Sequence, residues 1–215
     1  MLQRPGTGIF LTFEGIDGSG KSTQARALAT ALQQDGRDVV LTREPGGSTG
    51  AEAIRRLLVE GTADRWSPET EILLFNAARR DHLEKTVLPA LSRGAIVISD
   101  RFADSTRVYQ GAARASLRPL VDQLHDLVIG FEPDMTFVID MDAKAALSRG
   151  LARNSGEDRF EDMGADFQQA LRAGFLDLAR MAPDRVQVID GARDMAAISA
   201  DVLAIARRFI DGRAG

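Results

Sequence analysis

The segment Gly15–Ser22 reads Gly-Ile-Asp-Gly-Ser-Gly-Lys-Ser and has the G-x-x-x-x-G-K-S spacing of a phosphate-binding loop. An apolar run precedes it and a helical pattern follows it, which is the order of elements that such a loop requires. Backbone N–H groups would enclose a phosphate chain, Lys21 would reach the β- and γ-phosphates, and the Ser22 hydroxyl would bind Mg²⁺. A glycine-rich turn before an ordinary helix is the alternative, which the Lys-Ser pair and the preceding strand disfavour. The segment predicts nucleotide binding.

Polar clusters follow three apolar runs of the chain. Glu14 and Asp17 follow the first run, Arg43–Gly47 the second and Asp100–Phe102 the third. Taken singly, each cluster is an ordinary transition from strand to loop. The carboxyl ends of parallel strands meet at one edge of a sheet, so together the clusters predict a single ligand crevice.

The elements that would position these residues alternate along the chain. Apolar, β-rich runs predict strands at Gly8–Glu14, Val39–Arg43, Ala95–Asp100, Met135–Asp140 and Val186–Asp190. Amphipathic segments predict helices near Ser22–Asp35, Ser48–Glu60, Glu69–Arg93, Leu117–Ile129, Ala143–Arg153, Asp166–Met181 and Met195–Ile210. We therefore expect an α/β fold with a parallel five-stranded sheet, helices on both faces and right-handed crossovers.

One polar stretch interrupts the helical pattern. The residues Arg153–Arg159 favour turns, and they predict a lid segment at about 149–161. The sequence contains no repeat, linker or low-complexity segment, so we expect a single domain over residues 1–215.

The composition excludes several kinds of site. With no cysteine among its 215 residues, the chain can form no disulfide, thiolate nucleophile or cysteine-ligated zinc site. A net charge of −4 without a long basic block argues against general nucleic-acid binding. Residues 1–6 lack the apolar stretch of a signal peptide, and no apolar run approaches the length of a membrane span, so we expect a cytoplasmic protein without membrane contact.

The ordered set of motifs resembles the bacterial thymidylate kinases, P-loop enzymes of the nucleoside monophosphate kinase family that phosphorylate dTMP with ATP. The matching segments are Phe13–Gln24, Thr42–Gly47, Leu74–Arg80, Asp100–Thr106 and Tyr109–Gly111. The P-loop alone is generic, whereas Arg-Glu-Pro-Gly-Gly, Asp-Arg-Phe and Tyr-Gln-Gly at these spacings are specific. The resemblance implies a P-loop kinase fold, Mg²⁺ with ATP as phosphoryl donor, dTMP as acceptor, and a homodimer.

The resemblance also implies how the acceptor dTMP is held. Asp17 would hold the 3′-hydroxyl, Arg43 and Arg101 would grip the phosphate, and Tyr109 would crowd the 2′ position. Planar guanidinium groups suit phosphate oxygens and stay charged at any working pH. The alternative for both arginines is a structural ion pair with a nearby carboxylate, Glu44 or Asp104. For Asp17 the alternative is a solvated loop position.

For the base, the resemblance implies that Phe75 stacks on thymine and Arg79 donates to its O4. The two residues lie four apart on a predicted helix and therefore share a face. Core packing is the usual role of such a phenylalanine. Thr106 aligns near the base, and Ser105 beside it belongs to the predicted substrate site. The resemblance further implies a cis Glu44–Pro45 peptide bond.

On the donor side, Asp100 takes a Walker-B-like place and is expected to hold Mg²⁺ through water, or to orient Ser22 or Arg101. Position 18 is glycine, so the loop arginine of one family branch is missing, and the lid residues Arg149 and Arg153 become the candidates for contacting ATP. The alternative for both arginines is an ion pair with Glu157 or Asp158.

The predicted nucleotide-binding residues are Gly15, Asp17, Gly18, Ser19, Gly20, Lys21, Ser22, Thr23 and Arg149. The predicted catalytic residues are Lys21, Asp17, Arg101 and Arg153.

Two other functions compete with a dTMP kinase. A deoxynucleoside kinase would have an acceptor without phosphate, so the arginine pair would serve no purpose and a base carboxylate would be needed. Glu14, just before the loop, is predicted to orient loop N–H groups. A regulatory P-loop module would need switch segments in place of acceptor-site clusters. His82 and His125 are predicted to be ordinary helix residues without a role.

Overall fold

A five-stranded parallel sheet organises the molecule in the computed structural model, which describes residues 5–62, 65–112, 115–151 and 164–213. The strands are β1 Ile9–Glu14, β2 Val39–Arg43, β3 Ile96–Asp100, β4 Met135–Asp140 and β5 Val186–Asp190. Their order in the sheet is β2-β3-β1-β4-β5. The predicted strands and the parallel five-stranded fold are confirmed, with two strands each beginning one residue later than expected.

Helices connect the strands. They are α1 Lys21–Gln34, α2 Thr49–Val59, α3 Pro68–His82, α4 Leu88–Ser92, α5 Ala103–Thr106, α6 Arg118–Leu124, α7 Ala143–Leu151, α8 Gly164–Met181 and α9 Met195–Arg213. Three π-helical segments, Leu83–Val87, Arg107–Ala112 and His125–Ile129, continue α3, α5 and α6, and a 3₁₀ turn, Ala115–Leu117, precedes α6. The helix predicted over Glu69–Arg93 is therefore α3 and α4 joined by a π-helical segment. The helical stretch over 103–112 was not predicted.

Apolar side chains cover both faces of the sheet. On one face α1 and α9 pack against β1 and β4, where the rings of Phe13 and Phe137 stack with centroids 5.1 Å apart. On the other face Phe10 and Phe102 meet edge to face at 4.9 Å, beside the segment that joins α3 to α4. This burial on both sides explains why the central strands read as continuous apolar runs. In the described part of the chain, no helix combines the length and apolarity needed to cross a membrane.

The strand register brings the polar clusters to one level. Arg43 on β2 and Phe13 on β1 are both partners of Asp100 on β3, and Glu14 is the partner of Val138 on β4. The carboxyl ends of four strands are thus aligned, and the loops that follow them face one crevice.

Candidate active site

The loop between β1 and α1 needs its glycines for conformational reasons. Gly15, Gly18 and Gly20 have φ angles of 137°, 81° and 98°, which lie in a region that other residues rarely adopt. A Cβ atom on Gly15 would also lie 2.7 Å from the carbonyl oxygen of Ile139. No described side chain caps the N-terminus of α1, and its first turn holds no acidic residue. The N–H groups at this helix end are therefore suited to bind phosphate.

Lys21 folds back over this loop. Its Nζ lies 3.0 Å from Asp17 Oδ1 and 3.4 Å from the Ile16 carbonyl oxygen. Asp17 also accepts a hydrogen bond from Arg101 at Oδ1 and one of 3.0 Å from the Tyr109 hydroxyl at Oδ2. Burial opposes ionisation of this carboxyl group, but Arg101 and Lys21 outweigh it and hold the pKa of Asp17 well below its usual range. The P-loop lysine and the predicted acceptor arginine thus share one carboxylate.

Arg101 reaches Asp17 from an unusual backbone conformation. Its φ is 73°, and its N–H donates to the Phe13 carbonyl oxygen at 2.9 Å. The guanidinium Nη1 donates to Ser105 Oγ at 2.9 Å and to the Gly15 carbonyl oxygen at 3.3 Å. Burial disfavours the charged guanidinium, yet Asp17 overcomes this and raises the pKa of Arg101 above its usual range. Arg101 is therefore a permanent cation at the centre of the crevice.

Glu14 fixes the loop that carries Arg101. Its Oε1 accepts from the N–H groups of Phe102 at 2.8 Å and Ser105 at 3.1 Å, and its Oε2 accepts from Ser105 Oγ at 2.6 Å. Burial raises the pKa of Glu14 to about 7, although Arg101 and these hydrogen bonds act in the opposite direction. The carboxylate therefore orients backbone N–H groups, but those of the segment after β3 and not those of the P-loop for which it was predicted.

Arg43 ends β2 on the solvent side of the crevice. Its side chain is 54% exposed and lies 3.3 Å from Glu52, which also accepts from the Gly47 N–H at 3.0 Å. Neither expected ion pair with Glu44 or Asp104 is formed by Arg43 or by Arg101 within the described residues. Asp104 instead pairs with Arg107 and Arg185.

Arg79 lies deeper, on α3. Its side chain is 3% exposed, and its Nε donates to Glu44 Oε2 at 2.8 Å. Its Nη2 donates to Thr106 Oγ1 at 2.9 Å and to the Phe102 carbonyl oxygen at 3.2 Å. Phe75, four residues earlier on the same helix, is partly exposed and thus not a fully buried core residue. The Glu44–Pro45 bond is cis, which confirms that prediction.

The residues predicted to hold Mg²⁺ fit an oxygen-ligated cation. Asp100 Oδ1 is buried and has no hydrogen-bond partner among the described residues. Such an atom is costly to leave unpaired, and a carboxylate oxygen suits Mg²⁺ with several waters. Ser22 lies on the first turn of α1, which follows the strand paired with β3. No group of three or more His, Asp or Glu side chains in the described segments forms a separate metal site.

Of the two predicted donor-side arginines, the described residues include only Arg149. Arg149, on α7, is exposed, and its Nη1 lies 3.5 Å from Met141 Sδ. Arg153 and most of the expected lid, from 152 onward, fall outside the described residues.

The turn after β5, to which the sequence analysis gave no role, also borders the P-loop. A Cβ atom on Gly191 would lie 3.4 Å from the Ser19 carbonyl oxygen.

His82 contacts this site in a way that the sequence did not predict. It is fully buried at the end of α3, with Nδ1 2.9 Å from Glu44 Oε1 and Nε2 2.8 Å from Thr42 Oγ1. The structure adds to the prediction that it is an ordinary helix residue, because its ring bonds the same carboxylate that holds Arg79. The available signal was its position three residues after Arg79, which places both on one helix face.

Comparison with known proteins identifies close relatives. The family model described as thymidylate kinase matches residues 13–202. A thymidylate kinase of Dinoroseobacter shibae is 71% identical over 197 residues, covering 92% of this chain and 95% of that protein. One of Ruegeria pomeroyi is 66% identical over 93% of this chain and 95% of its own length. The crystal structure of thymidylate kinase from Ehrlichia chaffeensis matches with a TM-score of 0.75 and 40% identity, covering 94% of this chain and 99% of that one.

Proposed function

Because the chain belongs to the thymidylate kinase family, we propose that it transfers the γ-phosphoryl group of ATP to dTMP, giving ADP and dTDP, at the site around Asp17. The observation that carries the proposal is the contact of Lys21 and Arg101 with one carboxylate. Lys21 belongs to the P-loop, and Arg101 follows β3 on the acceptor side. A donor phosphate bound by Lys21 and an acceptor phosphate bound by Arg101 would therefore lie next to each other.

The donor ATP is held by the loop between β1 and α1. N–H groups of this loop and Lys21 surround the β- and γ-phosphates, and Thr23 and Arg149 complete the nucleotide-binding set with Gly15, Asp17, Gly18, Ser19, Gly20 and Ser22. Ser22 and Asp100 would hold Mg²⁺, and the unpaired Oδ1 of Asp100 supports this. When bound, the ion neutralises phosphate charge that develops during transfer.

The acceptor dTMP lies between the loop and α3. Arg101 and Arg43 bind its phosphate, and Ser105 holds Arg101 in place. Asp17 accepts a hydrogen bond from the 3′-hydroxyl, and the Tyr109 ring occupies the space beside the 2′ carbon. Binding exchanges the Arg101–Asp17 ion pair for contacts of each partner with the substrate. The partly buried hydrogen bonds among Asp17, Tyr109 and Arg101 support this proposal, because they bring all three polar groups together.

The thymine base lies against α3. Phe75 stacks on the ring, Arg79 donates to O4, and Thr106 holds the guanidinium from the other side. The hydrogen bonds of Arg79 Nε and Nη2 leave Nη1 as the nitrogen without a partner among the described residues. This atom is the donor proposed for the base.

The chemistry needs little more than position and charge. The acceptor is already a phosphate anion, so no strong general base is required. Lys21 and Arg101 lower the repulsion between two polyanions, and Arg153 in the lid (about 149–161) adds a cation at the transferring group. Closure of this lid excludes water that would otherwise hydrolyse ATP.

We also propose that the protein is a cytoplasmic homodimer. ATP and dTMP are cytoplasmic nucleotides, which supports the location. For the dimer, exposed leucines on packed elements offer an apolar surface: Leu57 on α2, Leu73 on α3, and Leu127 in the π-helical segment after α6. Exposed apolar side chains on neighbouring elements are typical of subunit interfaces.

Initial rates with MgATP and three acceptors test the proposed reaction. We expect rapid phosphorylation of dTMP and no measurable phosphorylation of thymidine, because thymidine lacks the phosphate that Arg101 binds. The ratio of the initial rates with dTMP and dUMP measures the contribution of the 5-methyl group to turnover. Turnover of thymidine instead of dTMP would make the protein a nucleoside kinase, and ATP binding without phosphorylation of any acceptor would make it a regulatory module.

A further inference from the structure

A buried polar chain runs from the end of β2 to α5. It consists of Thr42, His82, Glu44, Arg79 and Thr106, with successive hydrogen bonds of 2.8, 2.9, 2.8 and 2.9 Å. The imidazole of His82 is completely buried, and Glu44 and Arg79 are nearly so. Neither His82 nor Glu44 has a place in the proposed reaction, so their burial needs another explanation.

The chain of hydrogen bonds fixes the orientation of the Arg79 guanidinium. Glu44 holds Nε, and Thr106 with the Phe102 carbonyl oxygen holds Nη2. The group also lies over the Phe102 ring, with its Cζ 5.2 Å from the ring centroid. Because a guanidinium is planar, these tethers on two of its edges determine where Nη1 points.

Glu44 is itself held by His82. One carboxylate oxygen accepts a hydrogen bond from Arg79 and the other accepts one from His82 Nδ1. These two hydrogen bonds prevent the carboxylate group from rotating. A carboxylate only accepts hydrogen bonds, which places the proton on Nδ1 of His82. In the neutral ring, Nε2 then accepts from the Thr42 hydroxyl.

The imidazole is held by the loop backbone as well. A Cβ atom on Gly47 would lie 2.6 Å from both Cδ2 and Nε2 of His82, and Gly47 has a φ of 84°. The Gly47 carbonyl oxygen accepts from Thr86 Oγ1 at 2.7 Å, which keeps the loop against the ring. This close approach requires glycine at position 47 and explains the last residue of the Arg-Glu-Pro-Gly-Gly motif.

We infer that His82 is a positioning residue for base selection, acting through Glu44 on Arg79; this rests on the proposed role of Arg79 at the base. A fixed donor at Nη1 pairs with the O4 acceptor of thymine. Cytosine carries an amino group at this position, so two donors would face each other and one buried donor would stay unpaired. An arginine free to turn away would avoid that clash and would accept cytosine more readily.

The test compares His82→Leu with His82→Asn. Leucine removes the donor to Glu44, whereas the asparagine amide can still donate to it. We expect His82→Leu to lower the ratio of kcat/KM for dTMP to kcat/KM for dCMP about tenfold. We also expect a raised KM for dTMP, a KM for ATP within about twofold of wild type, and recovery of most of the ratio in His82→Asn.

His125→Leu is the matched control. His125 is also buried and bonds a carboxylate, with Nε2 3.0 Å from Glu132 Oε1, but that carboxylate pairs with Arg107 and not with Arg79. This variant should lose stability and keep the wild-type ratio. If His82→Leu does not fold, Thr42→Val removes the other hydrogen bond of the imidazole and should lower the same ratio.

Arg79→Lys distinguishes the proposed role of Arg79 at the base from the positioning role of His82. Should Arg79→Lys lower the dTMP-to-dCMP ratio while folded His82→Leu keeps it, the positioning role of His82 is wrong and the role of Arg79 stands. Should both variants keep the ratio, Arg79 does not contact O4 and the inference fails with it. Wild-type enzyme that does not phosphorylate dTMP would overturn the proposed function itself.

Discussion

Arg101 is held in a left-handed backbone conformation that costs a non-glycine residue about 1–3 kcal/mol. The hydrogen bond from its N–H to Phe13 imposes this conformation and turns the guanidinium toward the P-loop. Ser105 and Asp17 then hold the group in place. Local strain of this kind persists where surrounding structure fixes it, and here it places a permanent cation where the acceptor phosphate is proposed to bind.

Arg101→Ala should therefore impair the use of dTMP much more than the binding of ATP. Loss of a charge-assisted contact at a buried site costs about 2–3 kcal/mol, which corresponds to a fall in kcat/KM for dTMP of about 100-fold. Arg43→Ala should have a smaller effect, because Arg43 is half-exposed and its ion pair with Glu52 is long. Steady-state kinetics at varied dTMP and varied ATP separate the two effects.

Arg93→Ala is the control for these arginine variants, since Arg93 is an exposed residue that pairs with Asp38 at the opposite end of β3. Its kinetic constants should equal those of wild type. Equal increases in the KM values for ATP and dTMP in Arg101→Ala would contradict the acceptor role.

Tyr109 combines two functions in one side chain. Its ring packs edge-on against Phe175 with centroids 6.4 Å apart, and its hydroxyl donates to Asp17. Tyr109→Ala should relax discrimination against ribonucleotides, because it opens space beside the sugar, whereas Tyr109→Phe keeps the ring and should keep the discrimination. The measurement is kcat/KM for dTMP relative to ribothymidylate. An unchanged ratio in Tyr109→Ala would show that the ring does not exclude the 2′-hydroxyl.

At the scale of elements, the position of α5, which follows β3, is fixed by a residue of the neighbouring strand β1. Glu14 at the end of β1 accepts from two backbone N–H groups at the start of α5, and Arg101 lies in the connection from β3. A four-residue helix has little stability of its own. The buried carboxylate therefore determines where Arg101, Ser105 and Thr106 stand in the site.

This burial predicts a specific pH dependence of stability. Because the folded-state pKa of Glu14 is raised from 4.5 to about 7, protonated Glu14 favours the folded state below pH 4.5, and this contribution is lost as the pH rises to 7. Relative to Glu14→Gln, wild type should lose up to about 3 kcal/mol of unfolding free energy across that range. Urea unfolding at pH 4.5, 6 and 7.5 measures the difference between the two proteins.

Glu60→Gln, at an exposed position after α2, is the control and should follow wild type at every pH. Parallel stability curves for wild type and Glu14→Gln would mean that the pKa of Glu14 is not raised in the folded state.

Sequence alone predicted the elements whose signals are local. β1, the P-loop and α1 are contiguous, and the alternation of apolar runs with helical patterns determined the sheet. The helical stretch over 103–112 escaped prediction because the partner that holds its first turn, Glu14, lies 88 residues from Phe102 in sequence. The chain of hydrogen bonds from His82 to Arg79 escaped for the same reason, since Glu44 lies 38 and 35 residues from these two partners.

At the scale of the whole molecule, the proposed dimer surface lies on the α3 face of the sheet, whereas α9 covers the opposite face. Leu127→Glu, at a side chain that is 76% exposed, should shift the protein from dimer to monomer, because a charge would replace an apolar contact. Met195→Glu places the same charge on exposed Met195 of α9 and should leave the dimer intact. Sedimentation velocity of the three proteins decides between these states, and a monomeric wild type would refute the dimer.

The central claim is that one site, with Lys21 and Arg101 joined through Asp17, transfers phosphate from ATP to dTMP. The most direct measurement follows the ³¹P resonances of ATP and dTMP in the presence of Mg²⁺, with wild type and with Lys21→Ala. We predict that dTDP and ADP form in equal amounts with wild type, and that folded Lys21→Ala forms neither at a comparable rate, because the lysine neutralises charge in the transition state. ADP without dTDP from wild type, or near-wild-type turnover by Lys21→Ala at saturating MgATP, would contradict the claim.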